Sequence, residues 1–304
     1  MISELIARDL GIPAGYIQGL AKTASHRYYS FKIPRKRGGE REIHHPSREL
    51  KLLQRWLAKN VFGRLPIHHA AYGYREGLNI LQHAAVHSRY NFLLKLDFRD
   101  FFPSIRSADI VNLLRTNVRV LGDVLTSASD YETISLIVCR HGNLTIGAPS
   151  SPIISNLVMF EFDRAWAERS HAQSIAYSRY ADDLCFSTDH RNLLADLLAQ
   201  LRKDIAGRES PRLQLNEDKT VFTSRKRLRL VTGLVLTPTK RISVGRAKKR
   251  AVKCQVYRFS KKLLSEEETI SLRGILSYIQ SVEPSFVQGL REKFGPDVMG
   301  SIGA

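Results

Sequence analysis

Three aspartates stand where short apolar runs stop. FLLKLDF (92–98) is an apolar run of strand length that reaches Asp97 near its end. SIAYSRYADDLCFST (174–188) is two such runs with Asp182-Asp183 between them. Runs of roughly four to eight residues bounded by turn signals are short for helices and suit buried strands. The second segment therefore predicts a strand–turn–strand hairpin with both carboxyls at the turn. The first predicts a strand that closes on a carboxyl. An Asp-Asp pair alone usually marks a turn or a helix cap; the flanking apolar runs give this one its weight. The chain must form a sheet whose strand ends carry acid.

The acids sit in a strongly basic chain. Lys and Arg number 47 against 29 Asp and Glu in 304 residues, a formal net charge of +18. That excess implies a polyanionic partner, nucleic acid or an anionic membrane surface. Carboxylates at strand ends repel nucleic acid unless cations intervene. Mg²⁺ resolves the conflict, because it binds through carboxylates and phosphate oxygens. Two such ions activate an attacking hydroxyl and stabilise the leaving oxygen of an in-line phosphoryl transfer. A polymerase and a nuclease can both use this arrangement. A hydrophobic content of 43% supports a real core and excludes wholesale disorder. No apolar run approaches the ~20 residues of a membrane span. The N-terminus, MISELIARDLGIP, carries Glu4 and Asp9 and does not read as a signal peptide. Cys139, Cys185 and Cys254 are far apart, which excludes a disulfide framework and a CxxC zinc site and suits a reducing cytoplasm. His44-His45, His68-His69, His83 and His87 come without HExxH or neighbouring cysteines and predict no zinc site.

Periodicity outlines the rest. Residues 3–22 read as a helix with Ser3 as N-cap. SFKIP and EIHHP read as strands around a Gly38-Gly39 turn. Ser47 caps a helix with Leu50, Leu53, Leu57 and Val61 on one face. Residues 107–140 read as helical, TIGAPSSP (145–152) as a break, the following segment as a helix, and 190–206 as an amphipathic helix. LRLVTGLVLT and RISV read as strands, and three helices follow, the second opening with a Ser265–Glu268 capping box. Between Asp218 and Glu266 there is no acidic residue, while fifteen basic ones occur. Within that stretch Val252, Val256, Phe259 and Leu263 mark one helix face. A basic helix with an apolar back is a folded electrostatic surface. Arg246, Lys248, Lys249, Arg250, Lys253, Lys261 and Lys262 are its candidate RNA contacts.

Five segments, in order, carry a resemblance. FKIPRKRGGEREI (31–43), KLDFRDFFPSI (95–105), GAPSSPIISN (147–156), YADD (180–183) and LQLNEDKT (213–220) are similar to the motifs of reverse transcriptases. LVTGLVL (230–236) contains the VTG triplet typical of bacterial retron reverse transcriptases, and NILQH (79–83) resembles their NAxxH segment with Ile80 in place of Ala. Ile146 stands where many relatives have Gln. The resemblance runs from about Tyr28 to Phe294 and leaves no room for an RNase H or intron-endonuclease domain.

The resemblance implies an α+β right-hand polymerase. Its expected parts are fingers over 1–93, a palm with an antiparallel sheet over 94–237, carrying a helical insertion at about 107–145, and a basic helical thumb over 238–304. It implies RNA-directed synthesis of DNA from dNTPs with two Mg²⁺ ions. Asp97, Asp182 and Asp183 would hold the metals, with the carbonyl of Phe98 as a further ligand. Lys219 would protonate the leaving pyrophosphate. Phe102 would be the gate that excludes a ribose 2′-OH. Arg41, assisted by Lys36, would hold the triphosphate. Gly147, Pro149 and Ser150 would shape a loop close under the primer–template pair. Asn79, His83, Val231, Thr232 and Gly233 would join the thumb residues in binding RNA. The implied template is a cognate structured non-coding RNA that primes from a 2′-OH and yields branched RNA–DNA (msDNA). Host RNase H, an effector (toxin) protein and an antiphage role complete the expectation; no membrane is involved. The alternatives are another bacterial reverse transcriptase (group II intron, diversity-generating or abortive-infection type), a two-metal nuclease, and a non-catalytic RNA-binding scaffold.

Overall fold

The computed structural model describes residues 1–34 and 38–303. The chain opens with two helices where one was expected, α1 (Ile2–Leu10) and α2 (Ala14–Lys22). Gly11, at φ 67, ends α1, and Pro13 has no N–H with which to continue it. The first N-cap is Met1 rather than Ser3, which is buried. Strands β1 (Tyr28–Pro34) and β2 (Glu40–Pro46) pair antiparallel around Gly38-Gly39, both at positive φ. Helix α3 (Arg48–Asn60) starts at Ser47, whose hydroxyl accepts from the Leu50 N–H. Next come α4 (Ile80–Ser88) and β3 (Phe92–Asp97). The stretch 107–140, read as helical throughout, is interrupted. After the short α5 (Phe101–Ser104) it forms α6 (Ser107–Thr116), α7 (Val118–Leu121) and α8 (Ala128–Val138). Likewise α9 (Ser151–Val158) and α10 (Phe160–Ala172) replace a single expected helix.

The hairpin around Asp182-Asp183 is present as β4 (Ala176–Tyr180) and β5 (Asp183–Thr188). Helix α11 (Leu193–Gly207) follows, then β6 (Val221–Ser224), a strand that periodicity did not reveal. The central antiparallel sheet has the order β4-β5-β3-β6. Leu94 faces Phe186 and Leu96 faces Leu184 on the side that packs into the main core, while Lys95, Asp97 and Asp183 share the other side. That core also takes Phe162 and Trp166 of α10 and Leu197 and Leu201 of α11.

A small sheet follows, of β7 (Arg229–Val231), β8 (Leu234–Leu236) and β9 (Ile242–Ser243). The C-terminal part has four helices, one more than expected: α12 (Arg246–Ser260), α13 (Glu266–Val282), α14 (Pro284–Phe294) and α15 (Pro296–Ile302). Val231, Leu234 and Leu236 share a second core with these helices, so the small sheet seats them. Ser265 and Glu268 form the expected capping box. Among the described residues no helix is long and apolar enough to cross a membrane.

Candidate active site

Strand β3 ends on Asp97, and its register sets Asp97 directly opposite Asp183. Asp182 lies in the two-residue turn of the β4–β5 hairpin. Ala181 adopts a left-handed φ of 55 there, a conformation that a residue with a Cβ resists. The turn is held from both sides. The Phe98 N–H donates to the Asp182 carbonyl at 3.1 Å. From beneath, the fully buried Arg179 donates Nη1 to the Ala181 carbonyl at 3.0 Å. Arg179 is itself clamped on buried Asp163, Nε to Oδ1 at 2.8 Å and Nη2 to Oδ2 at 2.6 Å, and the Tyr177 hydroxyl donates to the same carboxylate at 2.7 Å. Residues 70–73 brace the edge of β4 through Tyr72 N–H to Arg179 carbonyl at 2.7 Å. A Cβ on Gly73 would lie 2.9 Å from the Ala181 nitrogen, so no larger residue fits there unchanged.

The three carboxyls oppose one another. Burial, then Asp97 and Asp183, push the Asp182 carboxyl up to about 6. Asp183 is also raised, by burial above all, against the pull of Lys95. Two ammonium groups relieve part of the conflict: Lys219 Nζ is 2.7 Å from Asp97 Oδ1, and Lys95 Nζ is 2.9 Å from Asp183 Oδ2. Among the described residues Asp182 has no ion-pair partner. Converging oxygen donors with charge left uncompensated fit a hard divalent cation. Lys95 was not singled out from the sequence, although the period of two places it on the face of Asp97.

The aromatic expectations separate cleanly. Phe98 and Phe101 are buried in the core, while Phe102 is half-buried at the site. Its ring centroid is 6.3 Å from that of Tyr74, which lies 6.4 Å from Tyr180. Arg41 is exposed on β2; Lys36 lies outside the described residues. The loop after Leu144 corrects one expectation. A Cβ on Gly147, at φ 111, would fall 2.5 Å from the His44 carbonyl oxygen. The close approach is therefore to the β1–β2 hairpin, joined by His44 N–H to Ile146 carbonyl at 2.9 Å. Pro149 is half-buried, and Ser150 is fully buried, its hydroxyl without a hydrogen-bond partner among the described residues.

The residues expected to bind RNA also divide. His83 and Val231 are fully buried, and the Asn79 side chain caps α4 by accepting from Leu81 and Gln82 N–H. His83 lies between the Tyr72 and Tyr180 rings and 3.4 Å from the Thr232 hydroxyl. The two retron-like segments thus meet each other in a packed joint, which withdraws His83 and Val231 from RNA; Thr232 and Gly233 keep some surface. The fold also brings the Cys185 thiol to His83 and His87, their ligand atoms within 4.8 Å of one another, although no cysteine neighbours these histidines in the sequence; the two His87 ring nitrogens bond the Ser187 and Ser178 hydroxyls at 2.8 and 2.6 Å. On α12, Arg246, Lys248, Arg250 and Lys253 are exposed, as are Lys261 and Lys262 just beyond it. Lys249 instead pairs with Glu283 of α14's N-cap. Leu263 is 61% exposed, because α12 stops at Ser260 before the stripe reaches it.

The family described as reverse transcriptase (RNA-dependent DNA polymerase) matches residues 33–255. The chain is similar to Retron Ec83 reverse transcriptase of Escherichia coli, 33% identical over 285 residues, covering 93% of this chain and 91% of that protein. It is also similar to Retron Ec73 reverse transcriptase of the same organism, 32% identical over 280 residues, covering 88% and 86%. Retron Ec86 reverse transcriptase is 31% identical over 288 residues, covering 91% and 85%. Among solved structures, telomerase from Candida tropicalis with a fragment of telomeric RNA aligns at a TM-score of 0.47 and 15% identity, over 88% of this chain and 54% of that one. The chain thus spans about half of that telomerase.

Proposed function

The chain belongs to the reverse transcriptase (RNA-dependent DNA polymerase) family, among the retron enzymes, and from that premise we propose that it copies a cognate structured RNA into branched msDNA from a 2′-OH primer. The observation that carries the catalytic reading is the convergence of Asp97, Asp182 and Asp183, with the Asp182 carboxyl raised to about 6. In this reading the three aspartates, with the Phe98 carbonyl, hold two Mg²⁺ ions. Such ions lower the pKa of the attacking hydroxyl and carry charge on the leaving oxygen. Lys219, whose ammonium lies against Asp97, would give a proton to the departing pyrophosphate. Phe102 sets the sugar choice by filling the space of a 2′-OH. Arg41 and Lys36 grip the triphosphate. The fingers comprise 1–93, the palm 94–237 and the thumb 238–304, with the exposed cations of the thumb following the RNA backbone.

The alternative uses of such a site are weaker. A nuclease has no need of a gate for the sugar such as Phe102 would supply, and a scaffold has no need of three mutually repelling carboxyls. Host RNase H would trim the template, and an effector protein for antiphage defence would be the further partner. The test is extension of a primed RNA by wild type and Asp182→Asn, with RNA affinity measured in parallel. The amide keeps the side chain's shape and loses its charge, so extension should be abolished while RNA binding persists. Near-normal extension would remove Asp182 from the chemistry. Sequencing the nucleic acid that co-purifies with the protein tests the msDNA assignment: a branched RNA–DNA molecule is expected.

A further inference from the structure

The far end of the central sheet holds a surface that the polymerase reading does not use. Two adjoining hollows, of about 450 and 670 Å³, share Phe92, Arg191 and Ser224. They lie where β3 begins, five residues from Asp97, or about 17 Å along a strand. Phe92 and Phe222 give the surface apolar area, and Phe222 is 49% exposed although it belongs to a sheet strand. Arg191, Arg225, Lys226 and Arg227 stand around it. Among the described residues none of these four has a carboxylate partner. Asp189 also lines the surface, and one of its oxygens accepts from the Asn91 N–H at 2.8 Å.

The cations are presented on a built turn. Arg225 N–H donates to the Asn91 carbonyl at 2.9 Å, its Nη1 reaches Asn91 Oδ1 at 3.0 Å, and Arg227 N–H closes the turn on the Ser224 carbonyl at 2.8 Å. Behind them Arg229 is fully buried and donates to the Thr237 carbonyl at 3.0 Å. Burial above all, then Arg225, holds Arg229 below its usual pKa, against the pull of Asp189.

We propose that this groove binds a single-stranded segment of nucleic acid, as a contact separate from the carboxylate centre. An open aromatic face beside guanidinium groups that have no carboxylate partner suits a base stacked on Phe222 with its phosphates on the arginines. A duplex encloses its base faces and has none to offer Phe222. An acidic protein would satisfy the charges but gives no reason for an open aromatic ring among them.

The proposal goes beyond the polymerase reading and is tested without catalysis. The probe is a fluorescein-labelled oligouridine of about 20 nucleotides, long enough for site sizes of this kind. Its binding is followed by anisotropy over a KCl series. The combined variant Arg225→Gln, Lys226→Gln, Arg227→Gln should flatten the slope of log affinity against log salt by about two, since each phosphate contact to a single strand contributes about 0.7. Phe222→Ser should weaken binding about tenfold with the slope retained, as loss of one stacked base requires. Arg225 also supports the turn, so Arg191→Gln with Lys226→Gln, neither of which donates to Asn91, provides a second variant that should flatten the slope by about 1.4. Thermal unfolding of each variant reports whether the fold is kept. An unchanged slope in a folded variant overturns the proposal and leaves the surface to an acidic protein partner. Asp182→Asn, by contrast, should leave the slope alone, so failure of the polymerase reading and failure of this one look different.

Discussion

Asp182 titrates at about 6 where an ordinary aspartate titrates at 3.8. The folded value lies above the unfolded one, so the metal-free native state keeps its proton longer than the unfolded chain. The stability this confers is fully present below about pH 4 and is lost as pH rises through about 6. Relative to an unperturbed carboxyl, ionised Asp182 then costs on the order of 3 kcal/mol. Asp182→Asn should therefore be the more stable protein in EDTA above about pH 7, by up to that amount, with the gap closing below about pH 4 or on adding Mg²⁺. His83 and His87 titrate in the opposite sense but are common to both proteins. Urea midpoints across pH measure the gap; equal midpoints near neutrality would mean that the neighbouring carboxyls do not oppose ionisation. Gly147→Ala tests a second position. Its Cβ would strike the His44 carbonyl, so the variant should lose about 1–3 kcal/mol and loosen the hairpin that carries Arg41. The expected kinetic signature is a raised KM for dNTP with little change in primer–template affinity; the reverse would place the loop against nucleic acid. At this scale the three aspartates were legible because strand period and strand ends are written in the sequence. The need for glycine at Gly147 was legible too, but its partner was not, since that partner is brought from a hundred residues away. Burial of Ser150, His83 and Val231 was illegible for the same reason.

Elements that are local in origin were read well. The β4–β5 hairpin, the Gly38-Gly39 hairpin and the Ser265 capping box each rest on short-range chemistry. Helix interruptions at Pro13 and Met159 were missed because apolar period continues through them. Strand β6 was missed because its four residues show little alternation; pairing with β3 makes it a strand. The basic helix α12 was read correctly as amphipathic, yet one of its cations is half-buried and paired within the fold. Lys249 pairs with Glu283, which also accepts from the Ser243 hydroxyl at 2.9 Å and Val244 N–H at 3.2 Å. Removing the lysine leaves a largely buried carboxylate with neutral donors alone. Lys249→Gln should thus lower stability by about 1–2 kcal/mol. Lys248→Gln with Arg250→Gln should leave thermal unfolding nearly unchanged and flatten the salt slope of RNA binding by up to about two. Denaturation and binding isotherms on both variants separate the two roles. A Lys249→Gln protein of full stability would return that lysine to the RNA surface.

At the scale of the molecule, the question is whether the basic helical end is a separate unit. Composition suggests so, since the acid-free stretch sets it apart. Packing says otherwise. Its core, built on Val252, Val256, Leu272, Leu276 and Ile279, continues into Ala84 of α4, Leu93 of β3 and Cys185 of β5. Two of those residues belong to the strands that carry Asp97 and Asp183. Helix α4 is the shared piece, with His83 against Thr232 on one side and His87 bonded to Ser178 and Ser187 on the other. A defect in the C-terminal core should therefore be felt in the catalytic sheet. Leu276 is fully buried, and Leu276→Ala should cost about 2–5 kcal/mol. The chain's two tryptophans, Trp56 and Trp166, both lie in the other core and serve as remote reporters. If α4 couples the units, the tryptophan fluorescence transition and the far-UV circular dichroism transition shift down together in this variant. If helical signal is lost first while the tryptophan transition stays at its wild-type temperature, the C-terminal helices unfold alone and the joint at α4 is only a hinge.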